Sequence, residues 1–169
     1  GFDYLLVGGD FGAGPNGRHS GSSFVMFGEA SGFSAAIDLS SLDGNNGFRL
    51  NGEAVGDLSG CSVSSAGDVN ADGFDDVIIG ARGAGSSYIV FGKTSGFDPV
   101  MSLSILNGNN GFRLDGSGHS VSGAGDINGD GFDDLIGGDF GADPNGDFSG
   151  SSYVIFGKAS GFSAAMDLS

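Results

Sequence analysis

Asp68-Val69-Asn70-Ala71-Asp72-Gly73-Phe74-Asp75-Asp76 runs straight into Val77-Ile78-Ile79-Gly80. From position 126 the same pattern returns as Asp126-Ile127-Asn128-Gly129-Asp130-Gly131-Phe132-Asp133-Asp134, followed by Leu135-Ile136-Gly137. Side-chain oxygens at loop positions 1, 3, 5 and 9, set around a Gly at position 6, can wrap a hard cation, and the position 7 carbonyl adds another oxygen. The expected ligands are therefore Asp68, Asn70, Asp72, Phe74 (carbonyl) and Asp76 in one loop, and Asp126, Asn128, Asp130, Phe132 (carbonyl) and Asp134 in the other. The cofactor expected is Ca2+, at two sites.

The loop shares its first half with the EF-hand but is not one. An EF-hand needs a bidentate Glu at position 12, where this chain has Ile79 and Gly137. No helix pattern follows either loop. The short β-branched runs that do follow read as buried strands, so each loop joins two strands and its last carboxylate opens the second. Asp75 and Asp133, at position 8, are expected to face away from the ion and cap the turn. A metal-free Asn/Asp/Gly turn is the plain alternative, but four spaced oxygens recurring twice favour the cation.

Composition agrees. The 169 residues carry a formal charge of −15, and of 21 acidic residues only Glu29 and Glu53 are Glu. Short Asp suits tight loops that approach an ion, whereas acid placed for solvation mixes in Glu. Six Lys and Arg are too few to neutralise a phosphate backbone, which argues against nucleic acid. No apolar run approaches the ~20 residues that a membrane-spanning helix needs, and 15 Phe with a mean hydropathy of +0.06 suit a β-rich core. Cys61 is the one cysteine and reads as a small strand residue at the place His119 holds in the other copy. Calcium at millimolar levels is extracellular, so a secreted or surface location is expected. The chain starts with Gly and reads as a processed form or a piece of something longer.

A larger repeat encloses the loops. Residues 22–40 match residues 151–169 at all but four positions, with an intermediate copy at 86–103, and Gly-Asn-Asn-Gly-Phe-Arg-Leu occurs at 44–50 and 108–114. One period reads as strand, calcium loop, strand, variable loop, Phe-Gly strand, long connection and Phe-Arg-Leu strand. That predicts an all-β fold of propeller-type blades, each of four antiparallel strands. About two and a half to three units are present, incomplete at both ends: 1–58, 59–116 and 117–169. Runs such as Phe24-Val25-Met26-Phe27 are continuous rather than alternating, as in strands covered on both faces.

These residues resemble the FG-GAP repeat, found in the integrin α-chain β-propeller and in bacterial secreted proteins. The likeness lies in a strand ending Ala-Gly-Asp, the D-x-N-x-D-G-x-x-D loop, a strand ending in Gly-Ala or Gly-Gly, and an aromatic strand ending Phe-Gly. It implies that Asp68, Asn70, Asp72 and Asp76, with Asp126, Asn128, Asp130 and Asp134, stand at the family's calcium-ligand positions. The chain departs from the pattern at Gly80-Ala81-Arg82 and Gly138-Asp139-Phe140, where the family has Gly-Ala-Pro, and it is too short for the family's usual seven blades.

Other chemistry is weak. Gly12-Ala13-Gly14-Pro15-Asn16-Gly17 spells a dinucleotide fingerprint, but Pro15 and the lack of a βαβ unit make it a hairpin turn. His19 and His119 read as polar surface residues, with no Ser or Asp placed for a triad. Arg49 and Arg113 are expected to pair with Asp between units. Gly1 to Tyr4 align with loop positions 6 to 9, so Tyr4 stands where Asp76 and Asp134 stand and the first unit is expected to bind no calcium. The expected function is a non-catalytic, calcium-stabilised structural or adhesive module. The alternative is a glycan-binding lectin or a phospholipase-like hydrolase on the same fold. Expected partners are adjacent repeats or other copies, joined through open sheet edges into an array, ring or filament, with surface proteins or glycans as further candidates.

Overall fold

The computed structural model describes residues 4–30 and 32–168. The chain is all-β, as the periodicity predicts, and three sheets stack along the sequence. The middle sheet runs β6 (Ser59–Gly67), β7 (Asp76–Ala81), β8 (Ser86–Val90) and β10 (Gly111–Asp115), an antiparallel meander in sequence order. The first sheet repeats its last three strands as β1 (Tyr4–Asp10), β4 (Ser22–Phe27) and β5 (Gly47–Asn51). The last sheet repeats the first three as β11 (Ser120–Gly125), β12 (Asp134–Asp139) and β13 (Ser151–Ile155).

The long connection adds a strand that the sequence pattern did not signal. β9 (Val100–Ser102) pairs parallel to β5, and β14 (Ala165–Asp167) pairs parallel to β10, so each connection returns to the sheet of the preceding unit. The first sheet therefore has four strands, the middle one five and the last three. Aromatic stacking carries the connection back. Phe97 lies parallel to Phe48 at 4.4 Å and Phe162 to Phe112 at 4.6 Å. Lys93 and Lys158 sit over the same connection rings, a favourable cation–π placement.

Two apolar layers hold the sheets together. Val25, Phe48 and Leu50 pack on Val77, Ile79, Tyr88 and Val90 between the first and middle sheets. Ile78, Ile89, Phe112 and Leu114 pack on Val121, Leu135 and Ile155 between the middle and last. Because both faces of the middle sheet are covered, β7 and β8 are buried throughout, which is why their sequences do not alternate. Each fully buried aliphatic or aromatic side chain contributes about 1.5–3 kcal/mol.

Candidate functional site: two Asp/Asn loops at the blade ends

The two nine-residue loops fold alike, almost atom for atom. Asp68 accepts from the N–H groups of Asp72 (3.0 Å) and Gly73 (2.8 Å). Asp126 accepts from those of Asp130 (3.1 Å) and Gly131 (2.9 Å). Asn70 Oδ1 and Asn128 Oδ1 take the same position 5 N–H groups. Phe74 and Phe132 close the turn by donating their N–H groups to Asp72 and Asp130. Asx-type bonds of this kind make the short Asp and Asn side chains build the turn.

Asp76 and Asp134 lie beneath the loops and are wholly buried. Each carboxylate clamps two distant pieces of backbone. Asp76 accepts from Val69 N–H (3.0 Å) and Gly92 N–H (2.8 Å), and Asp134 from Ile127 N–H (3.0 Å) and Gly157 N–H (2.9 Å). Gly92 and Gly157 are the glycines of the Phe-Gly that ends each aromatic strand, so position 9 ties the loop to that strand. Burial pushes the Asp76 carboxyl up to about 7 against the pull of its two N–H donors, and the charges of Asp72 and Asp68 add to the rise. A bound cation would offset that repulsion.

Among the described residues, no three His, Cys, Asp or Glu side chains are gathered as a metal cage. Asn70 Nδ2 instead bonds Asp72 Oδ2 (3.0 Å), and Asn128 Nδ2 bonds Asp130 Oδ2 (2.8 Å). The donor set still suits calcium chemically. It is all hard oxygen, and a carboxylate oxygen accepting one N–H keeps a second lone pair.

Position 8 behaves differently in the two loops. Asp133 reaches back to the preceding unit: its Oδ2 accepts from Asp68 N–H (2.8 Å) while its own N–H donates to Asp68 O (3.1 Å). Lys158 N–H donates to Val69 O (3.0 Å) beside it. The capping expected of Asp133 is thus applied to the loop of the neighbouring unit. Asp75, its counterpart, is exposed. The same docking leaves Val69 1 % exposed and its counterpart Ile127 56 %.

The remaining candidates fall into structural places. Pro15-Asn16 turns the hairpin between β2 (Ala13–Gly14) and β3 (Gly17–Arg18), and Asn16 donates to Gly52 O. Tyr4 donates its hydroxyl to Asp76 O (2.7 Å) across the unit boundary, and burial raises it to about 12. Gly1, Phe2 and Asp3, the rest of that partial loop, lie outside the described residues. Arg113 does bridge units, but to Glu53 (3.4 Å) rather than to an Asp of the neighbour, while Asp115 of its own strand accepts from Nη2 (3.1 Å). Cys61 donates weakly to Gly80 O, and His19 Nδ1 lies 3.0 Å from Phe11 O. His119 Nδ1 is 3.0 Å from Asp139 Oδ1, with its ring edge-on to Phe140. The sequence offered no sign of that pair, because His119 lies just before β11 and Asp139 ends β12, twenty residues on, and the copy of His119 in the middle unit is Cys61.

Stacked antiparallel blades, the second and third with an Asp/Asn loop between their first two strands, define a propeller-type repeat protein. Residues 62–92, which run from within β6 through the first loop, β7 and β8, match the FG-GAP repeat, and the chain is similar to integrin α chains. It is 37 % identical over 82 residues to integrin alpha-2 of Mus musculus, covering 45 % of this chain and 7 % of that protein. To integrin alpha-V of Gallus gallus it is 34 % identical over 102 residues, 56 % of this chain and 10 % of that protein. To integrin alpha-5 of Xenopus laevis it is 38 % identical over 91 residues, 50 % and 9 % respectively. The matches thus span a tenth or less of these relatives. No helix among the described residues is long and apolar enough to cross a membrane.

Proposed function

We propose that this chain is a non-catalytic, calcium-binding structural or adhesive repeat module of an extracellular protein, in which units 1–58, 59–116 and 117–169 belong to a larger array. The observation that carries the reading is the recurrence of one hydrogen-bonded frame in both loops, down to the buried position 9 carboxylate. Three Asp and one Asn per loop supply the oxygens. Asp68, Asn70, Asp72 and Asp76, with the Phe74 carbonyl, hold one ion; Asp126, Asn128, Asp130 and Asp134, with the Phe132 carbonyl, hold the other. Calcium replaces the Asn–Asp side-chain contacts, cancels the repulsion among the carboxylates, and offsets the ordering entropy of the loops. Likeness to integrin α chains supports a cell-surface or secreted setting and a role in contacts between proteins.

Calcium titration of the chain should find two sites, and excess chelator should lower the melting temperature. At free ion about 1,000 times the dissociation constant, each site contributes about 4 kcal/mol. Asp130→Ala should remove one site and leave the Asp68 loop binding. An unchanged melting curve in chelator would sink the proposal.

A further inference from the structure

Resting on the calcium-binding reading above, we infer that the two loops load cooperatively, because the position 9 carboxylate of the second loop is joined through hydrogen bonds to positions 1 and 9 of the first. One route runs back along the chain from Asp134. Its neighbour Asp133 accepts at Oδ2 from Asp68 N–H (2.8 Å), and the Asp133 N–H donates to Asp68 O (3.1 Å). Asp68 is position 1 of the first loop. Another route crosses through the aromatic strand's end. Asp134 Oδ1 accepts from Gly157 N–H (2.9 Å), and the next residue, Lys158, donates its N–H to Val69 O (3.0 Å). Val69 N–H in turn donates to Asp76 Oδ2 (3.0 Å), position 9 of the first loop. Phe132 and Asp134 flank Asp133 and both offer oxygen to the second ion. Seating that ion therefore fixes the residue that holds Asp68, and with it the first ligand of the neighbouring site.

The junction between the loops has little slack. Val69 is 1 % exposed. A Cβ on Gly157 would stand 2.5 Å from Asp133 O and 2.8 Å from Val69 O, and one on Gly67 would stand 2.1 Å from Asp133 Oδ2. Contacts this close pass a displacement on instead of absorbing it. The junction has two arrangements: joined, with the ends of both loops held for an ion, and parted, with Asp68 and Asp133 each hydrated. An ion at either site favours the joined arrangement by the difference in its affinity for the two. The first ion bound meets the ordering cost and the second does not, which is positive cooperativity. Repulsion between two divalent ions opposes it. The two nine-residue loops carry eight Asp between them, against four positive charges on two ions, so the ions sit among an excess of carboxylate that offsets their repulsion.

Calcium titration of the isotope-labelled 169-residue chain by NMR tests this, because the Gly73 and Gly131 amides donate to Asp68 and Asp126 and report the two sites separately. In the unaltered chain both amides should shift together along one curve with a Hill slope above 1. Asp130→Ala empties the second site, and the first should then bind calcium about tenfold more weakly, within the range ordinary for coupled sites. Asp72→Ala empties the first site and should weaken the second by the same factor, since coupling is reciprocal. Asp133→Ala removes one of the routes, so in that background Asp130→Ala should weaken the first site only about threefold. The charge lost with Asp130 acts in both backgrounds and cancels in the comparison. A Hill slope of 1 or below in the unaltered chain would overturn the inference. So would first-site affinity that stays the same or rises when the second site is empty, or a coupling factor undiminished by Asp133→Ala. Failure of the calcium reading itself looks different, because neither glycine amide would then move at millimolar calcium.

Discussion

Asp133 and Asp75 occupy the same position in two copies of one motif, and removing each side chain isolates what the contact between units is worth. Asp133→Ala deletes the carboxylate that accepts from Asp68 N–H at 2.8 Å. A hydrogen bond to a charged group in a partly buried place contributes about 1.5–3 kcal/mol net. Deleting a loop carboxylate also relieves repulsion with its acidic neighbours. Asp75→Ala removes the same charge from the same loop position, where its effect on another unit is the electrostatic one on Tyr4, so the difference between the variants largely cancels that gain. Asp75 is exposed, and its loss should change stability by no more than about 0.5 kcal/mol. The expected difference is therefore about 2 kcal/mol. With a urea slope of about 1–3 kcal/mol per molar for a domain of this size, that corresponds to roughly a 1 M lower midpoint for Asp133→Ala. Asp133→Asn keeps an oxygen acceptor and should lose about half as much. If the two Ala variants unfold within about 0.5 kcal/mol of each other at the same calcium concentration, the tie between Asp133 and Asp68 contributes nothing and the reasoning fails.

Gly157→Ala tests the same seam sterically. Its Cβ would stand 2.5 Å from Asp133 O, 2.6 Å from Phe132 Cβ and 2.8 Å from Val69 O, none of them the end of a flexible side chain. A loss of about 2–3 kcal/mol is expected, seen as a melting temperature lower by several degrees; a wild-type melting curve would show that the seam is loose. Alkaline unfolding reports the buried phenols. Burial raises Tyr4 to about 12 from its ordinary 10, and Tyr88 is raised further by burial and by the Glu53 carboxylate. The folded state therefore holds protons that the unfolded chain releases above pH 10. The stability tied to Tyr4 is complete below pH 10 and is lost as pH rises through about 12. Tyr4→Phe should flatten that part of the stability profile, and an unchanged slope between pH 10 and 12 would contradict the assignment.

The local chemistry was legible in the chain. Asp and Asn at alternate positions before a Gly build one kind of turn, and the hydrogen bonds that make it run almost entirely between residues within five of each other. Continuous apolar runs announced strands buried on both faces, and Pro15-Asn16 announced its hairpin. β9 and β14 were not legible. Val100–Ser102 and Ala165–Asp167 are three residues long and exposed or half-buried, too short for a period, and they are placed by contacts distant in sequence, the stacking of Phe97 on Phe48 and Phe162 on Phe112 among them.

Sequence by itself determined the repeat, the turn chemistry of the loops and the residues that can offer oxygen to a cation, because those depend on spacing along the backbone. Only the tertiary structure decided which of two identical positions does work. Asp133 meets Asp68 and Asp75 faces solvent; Val69 is covered and Ile127 is bare; Phe91 is buried and Phe156 is not. A repeated motif carries the same local propensities in every copy, but burial and cross-unit hydrogen bonds depend on which neighbour lies against it in space.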